Sequence, residues 1–285
     1  MIKLGIIGYP LKHSLSPIMH NPALKHTGIE GSYQPFETKP ENLELAVKDF
    51  ISRGYSGYNV TIPFKIDIIK YLDNITEEAK AAGAVNTVII SPSGKTLGDN
   101  TDVYGFMAAF DKDDFEFLTG KNAAIIGSGG AARAVGTALI KMNLAKITIF
   151  SRTFKNTAAT VETLNIINHN NISIIANTID NIDIDNVDLL INCSPVGMYP
   201  DTNKCPVEKK LIDQLNPDCI VYDLIYRPQE TLLIKYARSN NLKTISGDEM
   251  LVQQGAMAFE KWTNKKAPIN IMREKLLEAL NNETR

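Results

Sequence analysis

The 285-residue sequence is poor in cysteine. Its three cysteines, Cys193, Cys205 and Cys219, are an odd number and include no C-x-x-C pair. Such a set is typical of reduced thiols in a cytoplasmic protein and offers no cysteine metal site. Zinc-ligand spacing is also missing among the four histidines, His13, His20, His26 and His169. The sequence therefore predicts no metal centre.

Long apolar runs and an excess of one charge are missing too. No stretch of about 18 apolar residues occurs, which argues against a membrane-spanning helix. The apolar residues 1–8 reach Tyr9 and Pro10 too soon for a secretory signal. The net charge is −2, with 30 Lys and Arg against 32 Asp and Glu, and neither a basic stripe nor an acidic tail is present. We expect a cytoplasmic monomer or homodimer whose partner is a small molecule rather than nucleic acid or a membrane.

The length predicts one large domain or two modest ones, and a hydrophobic content of 44% suffices for two cores. Strand-like and helix-like segments alternate early in the chain, at residues 4–7, 17–26, 33–36, 43–51 and 58–61. Ser16 is the predicted N-cap of the first helix, with Pro17 at its first position. Residues 85–90 and 95–97 predict a hairpin. This alternation favours a largely parallel sheet.

A second alternation begins near Asn122. Its apolar, strand-like runs are residues 123–126, 147–150, 172–175, 189–191 and 220–222. Their spacing of roughly 15–30 residues suits βα units. The C-terminal part is helical in pattern, at residues 248–262 and 271–280. The predicted fold class is α/β with two domains.

A glycine turn joins the first of these strands to a helix. Gly127 allows the tight turn, Gly129 lets the backbone approach a pyrophosphate, and Ala132 permits close packing of helix and strand. The free N–H groups at the start of the helix then face the phosphate. This context predicts a dinucleotide site.

The end of the next strand indicates which dinucleotide is bound. Folds that select NAD usually place an acid at this point for the ribose 2′-hydroxyl, but the chain reads Ser151-Arg152-Thr153, followed by Lys155. Cations and hydroxyls here suit a 2′-phosphate, so NADP is the predicted cofactor. The alternative is a solvated charge at a strand end.

Polar clusters in the first hundred residues suggest a ligand site, each with a simpler alternative. Ser14 and Ser16 precede a helix and could donate to a carboxylate, or Ser16 could be a plain cap. Lys65 follows Pro63 and is predicted in the first turn of a helix. The field at a helix N-terminus disfavours the charged ammonium, so a lysine held there is suited to proton transfer. It could equally be a surface lysine. Asp102 lies in a hydroxyl-binding cluster or serves, with Thr101, as a cap for a helix over residues 103–110.

Taken together, these clusters resemble the shikimate dehydrogenase family almost from end to end. The matching segments are residues 8–21, 59–65, 83–87, 98–102, 127–132, 151–153, 191–198, 223–228 and 247–255. Nine motifs in the right order are far more specific than any one of them. Asn156 stands where the family usually has a second basic residue, and Ser151 where it usually has Asn.

The resemblance implies a role for each matching residue. The ring carboxylate would be held by Ser14, Ser16 and Tyr226. The ring hydroxyls would be held by Thr61, Asn86, Asp102 and Gln254. Lys65 would be the catalytic acid/base, beside Asp102. The cofactor contacts would be Glu77, Gly127, Ser128, Gly129, Gly130, Ala131, Ser151, Arg152, Thr153, Lys155, Leu224 and Gly247. Among these, residues 127–131 would bind the pyrophosphate, Arg152 the 2′-phosphate, and Leu224 and Gly247 would flank the nicotinamide.

The resemblance also implies an architecture and a reaction. A substrate-binding domain of residues 1–102 and 243–285 would be separated by a cleft from a Rossmann-like doubly wound NADP-binding domain of residues 103–242. The reaction would be reversible NADPH-dependent reduction of 3-dehydroshikimate to shikimate, in chorismate and aromatic amino acid biosynthesis. An NAD-using quinate/shikimate dehydrogenase is the alternative that Arg152 argues against. A non-catalytic NADP-binding sensor is the alternative that Lys65 and Asp102 argue against.

Overall fold

The computed structural model describes residues 1–11 and 14–283, so Lys12 and His13 of the N-terminal motif lie outside the described residues. The chain divides into two compact units. Unit 1 comprises Met1–Gly105 and Val252–Arg285, and unit 2 comprises Phe106–Leu251. The return into unit 1 was expected at residue 243 but comes at Val252, because residues 243–246 form a strand in the sheet of unit 2.

The N-terminal part of unit 1 carries one six-stranded sheet. Its elements are β1 (Ile2–Gly8), α1 (Ser16–His26), β2 (Gly31–Glu37), α2 (Leu43–Ser52), β3 (Gly57–Val60), β4 (Asn74–Ile75), α3 (Glu77–Ala82), β5 (Thr87–Ile90), β6 (Thr96–Asp99) and α4 (Asp102–Met107). The strand order is β2-β1-β3-β5-β6-β4. The antiparallel pair β5–β6 confirms the predicted hairpin, and it makes the sheet mixed rather than largely parallel.

This topology brings four chain segments to one edge of the sheet. Strands β1 and β3 are parallel neighbours, β5 is antiparallel to β3, and β6 is antiparallel to β5. The carboxyl ends of β1, β3 and β6 therefore share an edge with the start of β5. Residues that follow β1, β3 and β6, or that precede β5, therefore lie at one edge of the sheet, although they are up to about 90 residues apart in the chain.

Unit 2 is a doubly wound α/β unit. Its elements are α5 (Lys112–Leu118), β7 (Asn122–Ile126), α6 (Gly130–Lys141), β8 (Lys146–Ser151), α7 (Phe154–Asn165), β9 (Ser173–Thr178), β10 (Leu189–Asn192), α8 (Lys209–Ile212), β11 (Ile220–Asp223), α9 (Leu232–Ser239) and β12 (Lys243–Ser246). All neighbours in the order β12-β11-β10-β7-β8-β9 are parallel. This is the strand order of a dinucleotide-binding sheet, which confirms the predicted fold class. The order reverses between β7 and β10, where such sheets bind their ligands.

The chain returns to unit 1 in α10 (Gly247–Thr263) and ends in α11 (Ile269–Glu283), as the helical patterns predicted. Trp262 anchors α10 to the unit 1 sheet, because its Nε1 donates to the Val88 carbonyl at 2.9 Å. Gly57 makes room for the indole, since a Cβ there would lie 2.2 Å from the same nitrogen. Across the described residues, every helix is too short or too polar to cross a bilayer.

Candidate active site

Lys65 and Asp102 form a largely enclosed ion pair in unit 1. The Lys65 Nζ atom lies 2.6 Å from Asp102 Oδ2, and the two side chains are 16% and 6% exposed. Lys65 follows the carboxyl end of β3, and Asp102 opens α4 just after the carboxyl end of β6. The pair therefore joins two segments that the sheet brings to one edge, and the short contact is a charge-assisted hydrogen bond.

The backbone around Lys65 differs from the sequence prediction. Residues 62–66 form turns that lead into a short 3₁₀ helix, Asp67–Tyr71, and no α-helix begins in this described stretch. The predicted placement of Lys65 in a first helical turn is therefore wrong, and with it the argument from the helix field. The Val85 amide donates to the Lys65 carbonyl at 2.7 Å and ties the turn to the segment before β5.

Asn86 holds the other oxygen of the Asp102 carboxylate. Its Nδ2 lies 2.8 Å from Asp102 Oδ1, and it also approaches Gln254 Oε1 at 3.3 Å. Its Oδ1 accepts from the Thr101 amide at 2.8 Å, which fixes the orientation of the amide group. Three of the residues predicted to hold ring hydroxyls, Asn86, Asp102 and Gln254, thus lie in one hydrogen-bonded cluster.

The cap of helix α4 is Asn100, to which the sequence analysis assigned no role. Its Oδ1 accepts from the amides of Asp102 at 3.1 Å and Val103 at 3.4 Å. The helix spans Asp102–Met107 rather than residues 103–110, so Asp102 lies within it and the prediction of Asp102 as its cap is wrong. Thr101 directly precedes the helix, but its hydroxyl is bonded to Asn86 rather than to the helix amides. With Asn100 in that role, the Asp102 carboxylate is left to Lys65 and Asn86.

Ser14, Ser16 and Thr61 lie at the same edge of the sheet. Helix α1 begins at Ser16 and its N-cap is Leu15, without a side-chain bond, so the prediction of Ser16 as N-cap is wrong by one residue. Ser14 Oγ accepts from the Ser16 amide at 3.4 Å, and the Ser16 side chain is buried. Thr61 follows β3, and its amide donates to the Ile7 carbonyl at the end of β1, at 2.9 Å. The hydroxyl of Ser16 is therefore not used as a cap.

The glycine turn of unit 2 leaves room for a ligand. Gly127 has φ +116°, and a Cβ there would lie 3.0 Å from the backbone of Cys193, so a larger residue does not fit. Gly129 is the N-cap of α6, and a Cβ there would meet nothing within 4 Å. Its missing side chain thus serves no packing need within the protein, which favours the pyrophosphate interpretation. Ala132 is fully buried, as its predicted packing role requires.

The turn after β8 concentrates positive charge. Among the described residues no side chain pairs with Arg152 or Lys155, and both are exposed. Helix α7 begins beside them at Phe154, with no acidic residue in its first turn and no side-chain cap from Thr153. Ser151 is engaged internally, with its Oγ 2.7 Å from Thr157 Oγ1. Two free cations at an uncapped helix N-terminus favour a bound anion such as a phosphate.

Leu224 and Gly247, which were predicted to flank the nicotinamide, lie against each other. They follow the neighbouring strands β11 and β12, and a Cβ on Gly247 would lie 2.0 Å from the Leu224 carbonyl oxygen. Only glycine permits this approach of the two backbones. Glycine at position 247 therefore has a packing reason within unit 2, independent of any ligand.

The sequence reasoning missed a buried carboxylate, that of Asp223, the residue before Leu224. Asp223 accepts from Asn192 Nδ2 at 3.0 Å, from the Ile225 amide at 3.1 Å and from Thr231 Oγ1 at 2.6 Å. Even with these bonds, burial raises the pKa of Asp223 to about 6. The available signal was an acid that directly follows the apolar run 220–222 and therefore lies at the carboxyl end of a strand, where such sheets bind their ligands.

The Asp223 carboxyl makes stability depend on pH with a predictable sign. Its pKa rises from an ordinary 3.8 to about 6 on folding, so the stabilisation is full below pH 3.8 and is lost as the pH rises through about 6. The unfolding free energy of the wild type relative to Asp223→Asn should fall by up to about 3 kcal/mol over this window. Urea unfolding from pH 4 to 7 measures it.

Asp213→Asn is the control with the opposite sign. Asp213 is bonded to Lys209, which lowers the pKa of that carboxyl, so the wild type gains stability over this variant only as the pH rises towards 3.8, and the difference between them should stay nearly constant from pH 4 to 7. A pH-independent difference between the wild type and Asp223→Asn would contradict the assignment of a raised pKa.

Two predicted residues lie outside these clusters. Glu77 is the first residue of α3 and its side chain is 83% exposed, with Oε1 2.7 Å from Lys80. It therefore belongs to unit 1, whereas the other predicted cofactor residues belong to unit 2. Tyr226 follows β11 in unit 2 and is half-buried. Their proposed ligand contacts stay predictions.

Comparison with known proteins gives a consistent result. The shikimate dehydrogenase substrate binding domain matches residues 6–88, and the shikimate 5′-dehydrogenase C-terminal domain matches residues 247–277. The shikimate dehydrogenase (NADP(+)) of Methanococcus maripaludis strain C6 is 44% identical over 271 residues, which are 95% of each chain.

Solved structures agree over similar lengths. A shikimate dehydrogenase in complex with NADP+ has a TM-score of 0.88 at 39% identity, covering 98% of this chain and 96% of that one. Shikimate 5-dehydrogenase from Thermus thermophilus, in complex with NADP(H) and shikimate, has a TM-score of 0.84 at 33% identity, covering 98% and 100%. The likeness therefore extends through both units.

Proposed function

The chain belongs to the shikimate dehydrogenase family, and we propose that Lys65 and Asp102 are its acid/base pair. It is an NADP-dependent oxidoreductase that interconverts 3-dehydroshikimate and shikimate. The observation that supports the assignment of the pair is its geometry, a 2.6 Å contact between a largely enclosed lysine and aspartate. Location in the cytoplasm and a monomeric or dimeric state stay predictions.

NADPH, when bound, supplies the hydride that adds to the substrate carbonyl carbon. Reduction then leaves an oxyanion that needs a proton, and an acid must lie within hydrogen-bond reach of that oxygen. The Lys65 ammonium carries a proton and keeps part of its surface exposed. We assign it the proton transfer to this oxygen, and in the reverse direction the removal of the hydroxyl proton. Asp102 holds the ammonium in place and also binds a ring hydroxyl.

The other polar residues of unit 1 orient the substrate. Ser14 and Ser16 precede or begin an eleven-residue helix whose first turn contains no acid, which favours the substrate carboxylate there. Asn86 and Gln254, in the cluster with Asp102, suit the ring hydroxyls, as does Thr61. Fixing the ring at both ends places its reacting carbon for transfer and lowers the entropic cost of the reaction.

Initial rates test the function directly. Shikimate or quinate, each with NADP+ or NAD+, gives four combinations, and shikimate with NADP+ should have the highest kcat/KM. A preference for quinate with NAD+ would instead support the alternative enzyme of the same family.

The carboxylate site makes a separate prediction. Ser14→Ala and Ser16→Ala should each raise the KM for shikimate, because each loses about 1–2 kcal/mol of binding free energy, near the lower end of what a hydrogen bond to a charged group contributes. The KM for NADP+ should not change. Ser52→Ala is the matched control, because Ser52 is exposed and its hydroxyl donates to the Asp49 carbonyl at 3.1 Å within its own helix. A Ser16→Ala enzyme with a lowered Tm and an unchanged KM would assign Ser16 to the structure of α1 alone.

A further inference from the structure

The carboxylate of Asp99, the last residue of β6, is buried and has three partners. Its side chain is 3% exposed. The Oδ1 atom accepts from Thr76 Oγ1 at 2.6 Å and from the Asn100 amide at 2.8 Å. The Oδ2 atom lies 2.5 Å from the Nζ atom of Lys261, a residue of α10 whose side chain is 36% exposed. Asp99 therefore joins β6 to a helix from the C-terminal part of the chain.

These partners keep the Asp99 carboxylate charged. Burial by itself raises the pKa of Asp99, but the hydrogen bonds from Lys261 and Thr76 outweigh it and leave the pKa below its ordinary value. A buried charge that loses its partner is strongly destabilising. The pair of Asp99 and Lys261 is therefore a fixed link between β6 and α10, unlike an exposed surface pair.

Asp99 is also a firm anchor within the candidate site. Its carbonyl accepts from the Asn86 amide at 3.0 Å. The neighbouring Asn100 donates from Nδ2 to the Ala84 carbonyl at 2.9 Å and accepts at Oδ1 from the Asp102 amide at 3.1 Å. These bonds, together with the one from Thr76, do not involve Lys261. Asp99 therefore keeps its place relative to Asn86 and Asp102 whatever happens to α10.

Helix α10 presents Gln254 and Lys261 on one face. Lys261 comes two helical turns after Gln254, so the two side chains leave the helix in nearly the same direction, about 10 Å apart along its axis. Gln254 is 9% exposed, and its Oε1 lies 3.3 Å from Asn86 Nδ2. One end of this face thus meets the side chain of Asn86, and the other meets Asp99, to whose carbonyl the Asn86 amide is bonded.

Two adjacent residues of α10 are bonded to two neighbouring strands. Trp262 Nε1 donates to the Val88 carbonyl in β5, while Lys261 is paired with Asp99 in β6. Together these links fix the position of the helix along its axis and its rotation about it. Without Lys261, the rotation depends more on apolar contacts, such as the packing of Phe259 against other rings, and apolar contacts are not directional.

We propose that Lys261 is a positioning residue for substrate binding. Its ion pair with Asp99 holds α10 in the rotation that keeps Gln254 beside Asn86, where Gln254 binds a ring hydroxyl. Lys261 itself touches neither the substrate nor the cofactor in this scheme. The proposal rests on the role given above to Gln254.

Lys261→Met removes the ammonium and keeps the apolar stem. We expect the KM for shikimate to rise about tenfold, the effect of one misplaced hydrogen bond. The kcat should stay near that of the wild type, because Lys65 and Asp102 are held by bonds that do not involve Lys261. The KM for NADP+ should not change. Lys261→Arg keeps the charge at a partly exposed position and should restore most of the KM.

Lys275→Met is the matched control. Lys275 is 35% exposed, like Lys261, and its Nζ lies 2.7 Å from Glu278. Both members of this pair belong to α11, so breaking it should leave the KM and kcat for shikimate unchanged.

Addition of Asp99→Asn to Lys261→Met separates positioning from stability. Lys261→Met leaves a buried carboxylate without its cation and should lower the Tm. Asparagine removes that charge, and its Oδ1 can still accept from Thr76 and Asn100, so the double variant should recover much of the Tm. The link to α10 is still missing, and the KM for shikimate should therefore stay raised. The double variant also serves if Lys261→Met does not accumulate as folded protein.

Combination with Gln254→Ala tests the route of the effect. If Lys261 acts through Gln254, the rise in KM caused by Lys261→Met should be several-fold smaller in the Gln254→Ala background than in the wild type. Strict additivity would overturn the proposal. So would a wild-type KM for shikimate in Lys261→Met, or a KM that returns to normal together with the Tm in the double variant.

The same series distinguishes a failure of this proposal from a failure of the function on which it rests. A Gln254→Ala enzyme with wild-type KM for shikimate would overturn the role of Gln254 and, with it, the role of Lys261. A raised KM in Gln254→Ala beside an unchanged KM in Lys261→Met would overturn the role of Lys261 alone.

Discussion

Replacing Lys65 by methionine is expected to lower kcat for shikimate oxidation by about 10²–10⁴, the usual contribution of a positioned acid/base group. Methionine keeps the length of the apolar stem and removes only the amine. The proton of the hydroxyl then has no acceptor at the position where the structure places Lys65 Nζ, 2.6 Å from Asp102 Oδ2. Steady-state kinetics with NADP+ measure the effect.

Binding should change much less than turnover in this variant. The substrate carboxylate and the other ring hydroxyls keep their proposed partners, so shikimate should still raise the Tm of Lys65→Met. Loss of the lysine leaves the Asp102 carboxylate, which is 6% exposed, without its cation, and this lowers stability. The Tm must therefore be measured, and kinetics recorded well below it.

Two further variants separate the contributions. Lys95→Met breaks a surface pair of similar geometry, since Lys95 Nζ lies 2.8 Å from Asp73 and is 73% exposed, and it should leave kcat unchanged. Asp102→Asn should harm both kcat and KM, because it also holds a hydroxyl. A near-normal kcat in Lys65→Met would contradict the proposed mechanism but not the membership of the family.

The sequence predicted the buried strands of the sheets better than an edge strand. The buried strands of unit 2 are continuous apolar runs, such as Ala123–Ile126 in β7, so their pattern can be recognised locally. Strand β12 was missed because Lys243–Ser246 contains a single strongly apolar residue, Ile245, and lies at the edge of the sheet. Its pairing with β11 is a tertiary choice that local propensity does not specify.

The candidate site shows the same limit. Motifs predicted Lys65, Asp102, Asn86 and Gln254 as individual residues, and the structure adds the bonds that join them. Asn and Asp are similarly good N-caps, so residue type alone could not show that Asn100 rather than Asp102 caps α4. The buried hydrogen bond from Tyr33 Oη to Asn59 Oδ1 was not predicted either. A tyrosine in a strand is expected to be a core residue, and Asn59 is 26 residues away along the chain.

Replacing Arg152 by alanine is expected to change the choice of cofactor. Arginine can bind a phosphate through two parallel N–H groups, and hydrogen bonds to charged groups contribute about 1.5–3 kcal/mol. The KM for NADP+ should therefore rise roughly 10- to 150-fold. NAD+ lacks the 2′-phosphate, so its KM should hardly move. Initial rates with both cofactors, at saturating shikimate, measure the ratio.

The environment of Arg152 supports a direct role in this selectivity. Among the described residues its side chain has no ion-pair partner, so alanine removes no internal contact and stability should stay near that of the wild type. Lys155, at the start of α7, adds a second cation against the helix field and should give a smaller effect in Lys155→Ala. Arg238→Ala is the matched control in the same unit, because Arg238 is paired with Glu230 at 2.8 Å. Equal losses for NADP+ and NAD+ in Arg152→Ala would make Arg152 a structural residue, and the 2′-phosphate would then have to be bound elsewhere.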